Sequence, residues 1–193
     1  RSPSRGLGDV YKRQVWGDGG IICTNDEKIQ TKLKLIRNHG LIDRNTCIEY
    51  GYNSRLDTLQ AVIAKYLLVN KLDNITRTRR RNAEFLDENL KDINCINLVK
   101  RETNIKEVHH LYMFTVNERQ KLVEHLRSNN VDAKIHYPIP MHLQPASKKY
   151  NYIRSDFPIS EKLAKTTISL PVHEYITLDQ LNLIVQLIKS YFS

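Results

Sequence analysis

At 193 residues the chain can build one good core or two small ones, and its 40% apolar and 26% charged content is that of a soluble globular protein. No apolar run approaches the ~20 residues that span a bilayer, and the start of the chain has no apolar signal core, so neither a membrane nor export is expected. Three scattered cysteines, Cys23, Cys47 and Cys95, form no CxxC pair, which argues against a disulfide framework or a zinc site and fits a reducing cytoplasm.

Residues 1–14, RSPSRGLGDVYKRQ, have neither helical nor strand periodicity and read as a non-native leader resembling a translated sequencing adapter. Their Gly6–Gly8 stretch is too short for a phosphate loop. From Val15 the text becomes structured. Gly17–Gly20 reads as a turn and Ile21–Thr24 as a short buried strand. Asn25 or Asp26 then caps a helix carrying Ile29, Leu33 and Ile36 on one side, stopped at Gly40. Leu41–Leu56 is a polar loop. Asp57 opens a second helix with Leu59, Val62, Ile63, Tyr66 and Leu67 on one face, interrupted near Asn70–Asn74 and continuing to about Lys91. This stretch, 57–92, is expected to connect two bodies.

Within that helix lie Arg77, Arg79, Arg80 and Arg81, which with the net charge of +9 invite a nucleic-acid reading. A third of the excess charge belongs to residues 1–14, Glu84 offers i,i+3 and i,i+4 partners, and no stacking aromatics interleave. The cluster is therefore expected to be a solvated helix face, with no nucleic-acid partner. Beyond it the pattern gives strands 95–99 and 108–116, helix 118–128, strand 131–136, a proline loop, helix 160–166 capped by Ser160, strand 168–170, and helix 178–191 opened by a Thr177–Gln180 capping box. Strands alternating with helices over 93–193 make a small α/β domain.

Two segments carry polar groups in a pattern that folding alone does not require. His136–Pro145, HYPIPMHLQP, holds three prolines in ten residues, so it runs extended and stiff, displaying two imidazoles, a phenol and a carboxamide. Read on residues alone it is either a small-molecule wall or a proline-rich connection whose histidines face water. Gly51–Asp57, GYNSRLD, sets a carboxamide and a guanidinium just ahead of a helix N-terminus, which suits phosphate or carboxylate. The alternative is a capped helix start with Arg55 salt-bridged to Asp57 or Glu49. Of the other histidines, at most one of His109 and His110 can face a core, and His125 is expected in solvent. No HExxH, GxSxG or cysteine-nucleophile signature supports a hydrolase.

GDGGIICTND, RNHG, GYNSRLDTLQA, HYPIPMHLQP and FPISEKLAKTTISLPVH follow one another in an order and spacing that resembles the C-terminal half of the DegT/DnrJ/StrS-type sugar-nucleotide aminotransferases. The resemblance implies an α/β, fold type I pyridoxal 5′-phosphate (PLP) transferase: 15–56 the end of the large PLP-binding domain, 57–92 the connecting helix, 93–193 the small domain. It implies transfer of an amino group from an amino-acid donor, glutamate, to a keto-deoxy sugar on a nucleoside diphosphate, in amino-sugar, cell-surface polysaccharide or antibiotic-sugar biosynthesis. By the same resemblance Asn53 meets the PLP phosphate of a neighbouring subunit, Arg55 stands at the mouth of the site, and His136, Tyr137 and His142 lie near the nucleotide sugar. A homodimer with shared sites follows. The lysine that carries PLP in the family falls at Tyr11 here, with Lys12 one residue out of place, so this chain alone is expected to be inactive. The alternatives are a PLP-dependent sugar dehydratase of the same family, a sugar-nucleotide sensor, or an RNA-binding module.

Overall fold

The computed structural model describes residues 20–193, so the expectations for the leader, for Tyr11 and Lys12, and for most of the Gly17–Gly20 turn lie outside it. The chain divides into two units, one running to Leu72 and the other spanning Asp73–Ser193.

In the first unit, helix α1 (Glu27–Ile36) is capped by Asp26, whose Oδ1 accepts from the amides of Lys28 and Ile29 at 2.8 and 3.1 Å. Ile21–Thr24 is not the buried strand its apolar run predicts. Ile21 and Ile22 are 82% and 71% exposed, and no strand pairs with them among the described residues. After α1 the chain doubles back. Gly40, at φ +73°, donates to Leu35 O at 2.9 Å, and a Cβ there would stand 1.6 Å from Glu49 O. Helix α2 (Thr58–Asn70) begins at Asp57, whose amide donates to Gln60 Oε1 at 3.2 Å. Its expected apolar face is open, with Leu59, Val62 and Tyr66 each more than half exposed.

The long helix breaks at a single residue, Lys71. Helix α3 (Leu72–Leu90) belongs, apart from its first residue, to the second unit and supplies part of that core. Thr76, Arg79, Ala83, Leu86 and Leu90 recur at three- and four-residue steps and are buried, so Arg79 is not part of the solvated face. Its guanidinium is fully buried and bonded to Glu174 at 2.8 Å. Arg77 and Arg81 do face solvent.

Three antiparallel strands in order β1 (Ile96–Leu98), β2 (Tyr112–Val116), β3 (Thr167–Leu170) form the sheet. One face presents Ile96, Leu98, Tyr112, Phe114, Val116, Ile168 and Leu170 to α3, α4 (Arg119–Ser128) and α6 (Leu178–Phe192), which contribute Leu86, Leu122, Leu126, Ile184 and Ile188 to the core. The alternate residues Met113, Thr115, Thr167 and Ser169 lie on the other face, as the period of two demands.

Several boundaries differ from expectation for local reasons. Strand β2 begins at Tyr112 rather than 108 because His109 adopts φ +45°, which extended backbone cannot continue through. Segment 131–136 is no strand. Ala133 N–H is spent on Val131 O at 2.8 Å, leaving one bridge, Lys134 to Ser169. Helix α5 (Pro158–Thr166) starts two residues early, since proline fits the first helical position, so Ser160 lies inside it. His125 is not fully in solvent, its Nε2 lying 3.2 Å from Leu187 O. The last helix does open on the Thr177–Gln180 capping box.

Candidate functional site

In the first unit the segment Gly51–Ser54 is laid against the end of α1. Tyr52 N donates to Ile36 O at 2.7 Å, His39 N to Tyr52 O at 3.0 Å and Ser54 N to Arg37 O at 2.9 Å. Only glycine allows this approach, because a Cβ at Gly51 would stand 2.4 Å from Ile36 O. The segment so fixed carries Asn53 and Arg55. Arg55 Nε donates to Asn53 Oδ1 at 3.2 Å and Nη1 to Asn38 Oδ1 at 3.1 Å, both neutral acceptors. The carboxylates that could have paired with it are committed elsewhere. Glu49 bonds Lys32, and among the described residues no acidic side chain pairs with Arg55. The result is an exposed guanidinium fixed by two carboxamides and, among the described residues, paired with no carboxylate, beside an exposed Asn53 whose oxygen is used. This donor set fits a phosphate or carboxylate.

In the second unit a cavity of ≈ 710 Å³ lies over the sheet face opposite the core. Its floor is Met113, Thr115 and Thr167; its walls are the proline loop from His136 to Met141 and the α5 residues Ser160, Leu163 and Ala164. The structure thus brings His136 and Tyr137 together on one wall, their rings edge-to-face with centroids 5.4 Å apart. His136 Nδ1 lies 3.0 Å from Ser169 Oγ. Gln144, the carboxamide of the same loop, also lines the cavity.

His142 is placed differently. It is buried against Phe157, ring centroids 4.8 Å apart, with Nε2 3.1 Å from Glu161 Oε1, and it does not line this cavity. Glu161 also accepts from Ser155 N at 2.6 Å, and that amide, followed by His142, holds its carboxyl below the usual carboxylate range. His142 therefore pins the far end of the proline loop to α5.

Residue-by-residue reading missed the cavity floor and Ser169. The signal was present in the alternation of strands β2 and β3, where a serine between Ile168 and Leu170 needs a partner if it is buried. It also missed Arg79, with Glu174, as a buried pair. Among the described residues no cluster of His, Cys, Asp or Glu could hold a metal ion.

The same fold recurs in solved structures. The chain is 26% identical to DesV of S. venezuelae, covering 88% of this chain and 46% of that one with a TM-score of 0.83. It is 27% identical to a DegT/DnrJ/EryC1/StrS aminotransferase from Brucella abortus, covering 88% and 45% with a TM-score of 0.80. The fold is that of the C-terminal part of a fold type I transferase: the end of a large domain followed by a small α/β domain.

The sequence model of the DegT/DnrJ/EryC1/StrS aminotransferase family matches residues 10–189, and the chain belongs to that family, whose members are PLP-dependent. Similar curated proteins include a dTDP-3-amino-3,6-dideoxy-alpha-D-galactopyranose transaminase of Aneurinibacillus thermoaerophilus, 33% identical over 90% of this chain and 47% of that protein. Another is a UDP-2-acetamido-2-deoxy-3-oxo-D-glucuronate aminotransferase of Pseudomonas aeruginosa, 34% identical over 90% and 45%. The chain spans about half the length of the curated relatives it matches.

Proposed function

We propose that this chain is the C-terminal half of an enzyme that transfers an amino group from glutamate to a keto-deoxy sugar carried on a nucleoside diphosphate, with PLP as cofactor. The observation that carries this reading is the Asn53–Arg55–Asn38 cluster. A guanidinium held in place by neutral partners, with no carboxylate among the described residues to cancel it, suits an anion that arrives from outside. Both PLP and a nucleotide sugar are such anions.

The residues present fit the cofactor's phosphate: Asn53 offers its NH₂ and Arg55 its remaining N–H groups. When bound, PLP supplies the electron sink for breaking the C–H bond beside the amino group. Arg55 offers a fixed positive charge to substrate phosphate or to the donor's carboxylate. His136 and Tyr137 offer an imidazole and a phenol to sugar oxygens, while Met113, Leu163 and Ile139 supply apolar lining beside them. His142 positions the loop through Glu161. Two subunits would share each site, with Asn53 of one serving the cofactor of the other. We place the enzyme in the cytoplasm, in amino-sugar or polysaccharide biosynthesis. The 193-residue chain alone would be inactive, because Tyr11 stands where the family places its PLP-bearing lysine.

The test is an amino-transfer assay of the full-length enzyme with PLP, glutamate and UDP- or dTDP-linked keto sugars, beside Asn53→Ala and Arg55→Ala. Loss of PLP affinity in Asn53→Ala and a raised KM in Arg55→Ala are expected. Full activity in both variants would refute the assignment.

A further inference from the structure

We infer that Ser169 is a positioning residue which sets the neutral tautomer of the His136 imidazole on the cavity wall, its Nδ1 an acceptor and its Nε2 carrying the proton. Ser169 sits in β3 between the core residues Ile168 and Leu170, on the opposite face of the sheet, paired in register with Met113. It is 1% exposed. A valine or isoleucine would serve a buried strand better, so the hydroxyl requires an account. Its Oγ lies 3.0 Å from His136 Nδ1, and that ring is its side-chain partner among the described residues.

The direction of this bond follows from counting donors. A hydroxyl has one proton and two lone pairs, and a buried donor left without an acceptor costs more than a spare lone pair. Were Nδ1 protonated, it would donate to Oγ and strand the hydroxyl proton. With Nδ1 bare, the serine proton is satisfied and the imidazole proton sits on Nε2.

The backbone makes this geometry rigid. Lys134 N donates to Ser169 O at 2.9 Å, and Ser169 N donates to Lys134 O at 2.8 Å, so the residue two before His136 is locked to the same serine. Ser169 therefore fixes both the path of the chain into the proline loop and the tautomer of its first imidazole. Such an Nε2–H can bond a sugar hydroxyl or a phosphate oxygen. It cannot take up a proton at that atom, so His136 acts by recognition rather than as a base. The purpose of the device rests on the function proposed above, but its test does not.

Long-range ¹H–¹⁵N spectra of the full chain, with histidine labelled and at about pH 8 where imidazole is neutral, read both ring nitrogens of His136 directly. The expected result is a pyridine-like, hydrogen-bonded Nδ1 and a protonated Nε2, in excess of about ten to one. Free imidazole already leans toward that form, so variants decide the matter. Ser169→Ala should shift the Nδ1 resonance to that of an unbonded nitrogen and lower the tautomer ratio, and Ser169→Thr should restore both. Should the added methyl of threonine disturb the strand, the comparison of wild type with Ser169→Ala stands alone. A protonated Nδ1 in the wild type, or a His136 spectrum indifferent to Ser169→Ala, overturns the inference. No cofactor or substrate is needed, so failure here is distinct from failure of the amino-transfer assay.

Discussion

Replacing Arg79 with methionine is the sharpest test of how the second unit is held together. The guanidinium is 0% exposed and Glu174 keeps only 8% of its side-chain surface. Nε and Nη2 each reach Glu174 Oε2 at 2.8 Å, and Nη1 donates to His109 O at 3.3 Å. Methionine fills much of the volume but leaves a buried carboxylate alone. Breaking one side of such a pair costs about 3–5 kcal/mol, a large part of the ~5–15 kcal/mol that holds a domain folded. With a urea m-value of ~1–3 kcal/mol/M, the midpoint followed by far-UV circular dichroism should fall by roughly 1–5 M. Arg79→Met/Glu174→Leu removes both charges and should recover most of that loss. A single-variant midpoint within ~0.3 M of wild type, or a double variant as unstable as the sum of the singles, would refute the reasoning.

Four further outcomes are expected. Gly51→Ala should loosen the Asn53–Arg55 segment from α1, since its Cβ meets Ile36 O at 2.4 Å; faster amide exchange at Tyr52 and Ser54 checks this. Glu161, held low by the Ser155 amide and then His142, contributes stability that is present above the unfolded carboxylate range and is lost as pH falls through its lower folded value. Glu161→Gln should therefore flatten the acid limb of a pH–stability curve. Burial first, and then its bond to Asp87 at 2.8 Å, push the Tyr112 phenol up, so the stability it contributes is present below the ordinary tyrosine range and lost as pH rises above it. Ultraviolet titration should show this tyrosine ionising only on unfolding, and Tyr112→Phe should cost ~1–2 kcal/mol in a urea melt.

What the sequence disclosed depended on how local its causes were. The stop at Gly40 and the Thr177–Gln180 box are settled within four residues and legible directly, and the α1 cap was narrowed to Asn25 or Asp26, of which the structure uses Asp26. The limits of β2 and of segment 131–136 depend on one left-handed residue, His109, and one short-range bond, Ala133 to Val131, which alternation does not display. Arg79 was misjudged for a different reason. Its partner is 95 positions away, although the spacing to Ala83, Leu86 and Leu90 already put it on their face. At the site, His136 and Tyr137 stood out as polar groups on a stiff loop, while His142 shared their motif but turns to Glu161. For Ser169 the alternation of β3 marks a polar residue opposite the core, but its partner, His136, lies 33 positions away and shows only in the fold.

The sheet divides its labour residue by residue. Tyr112, Phe114, Ile168 and Leu170 secure the core, while Met113, Thr115 and Thr167 line the hollow above. The odd and even letters of two short words are thus free to change independently. Libraries confined to Met113, Thr115 and Thr167 should re-tune what the hollow accepts at little loss of melting temperature, so one scaffold can diversify its chemistry without renegotiating how it folds.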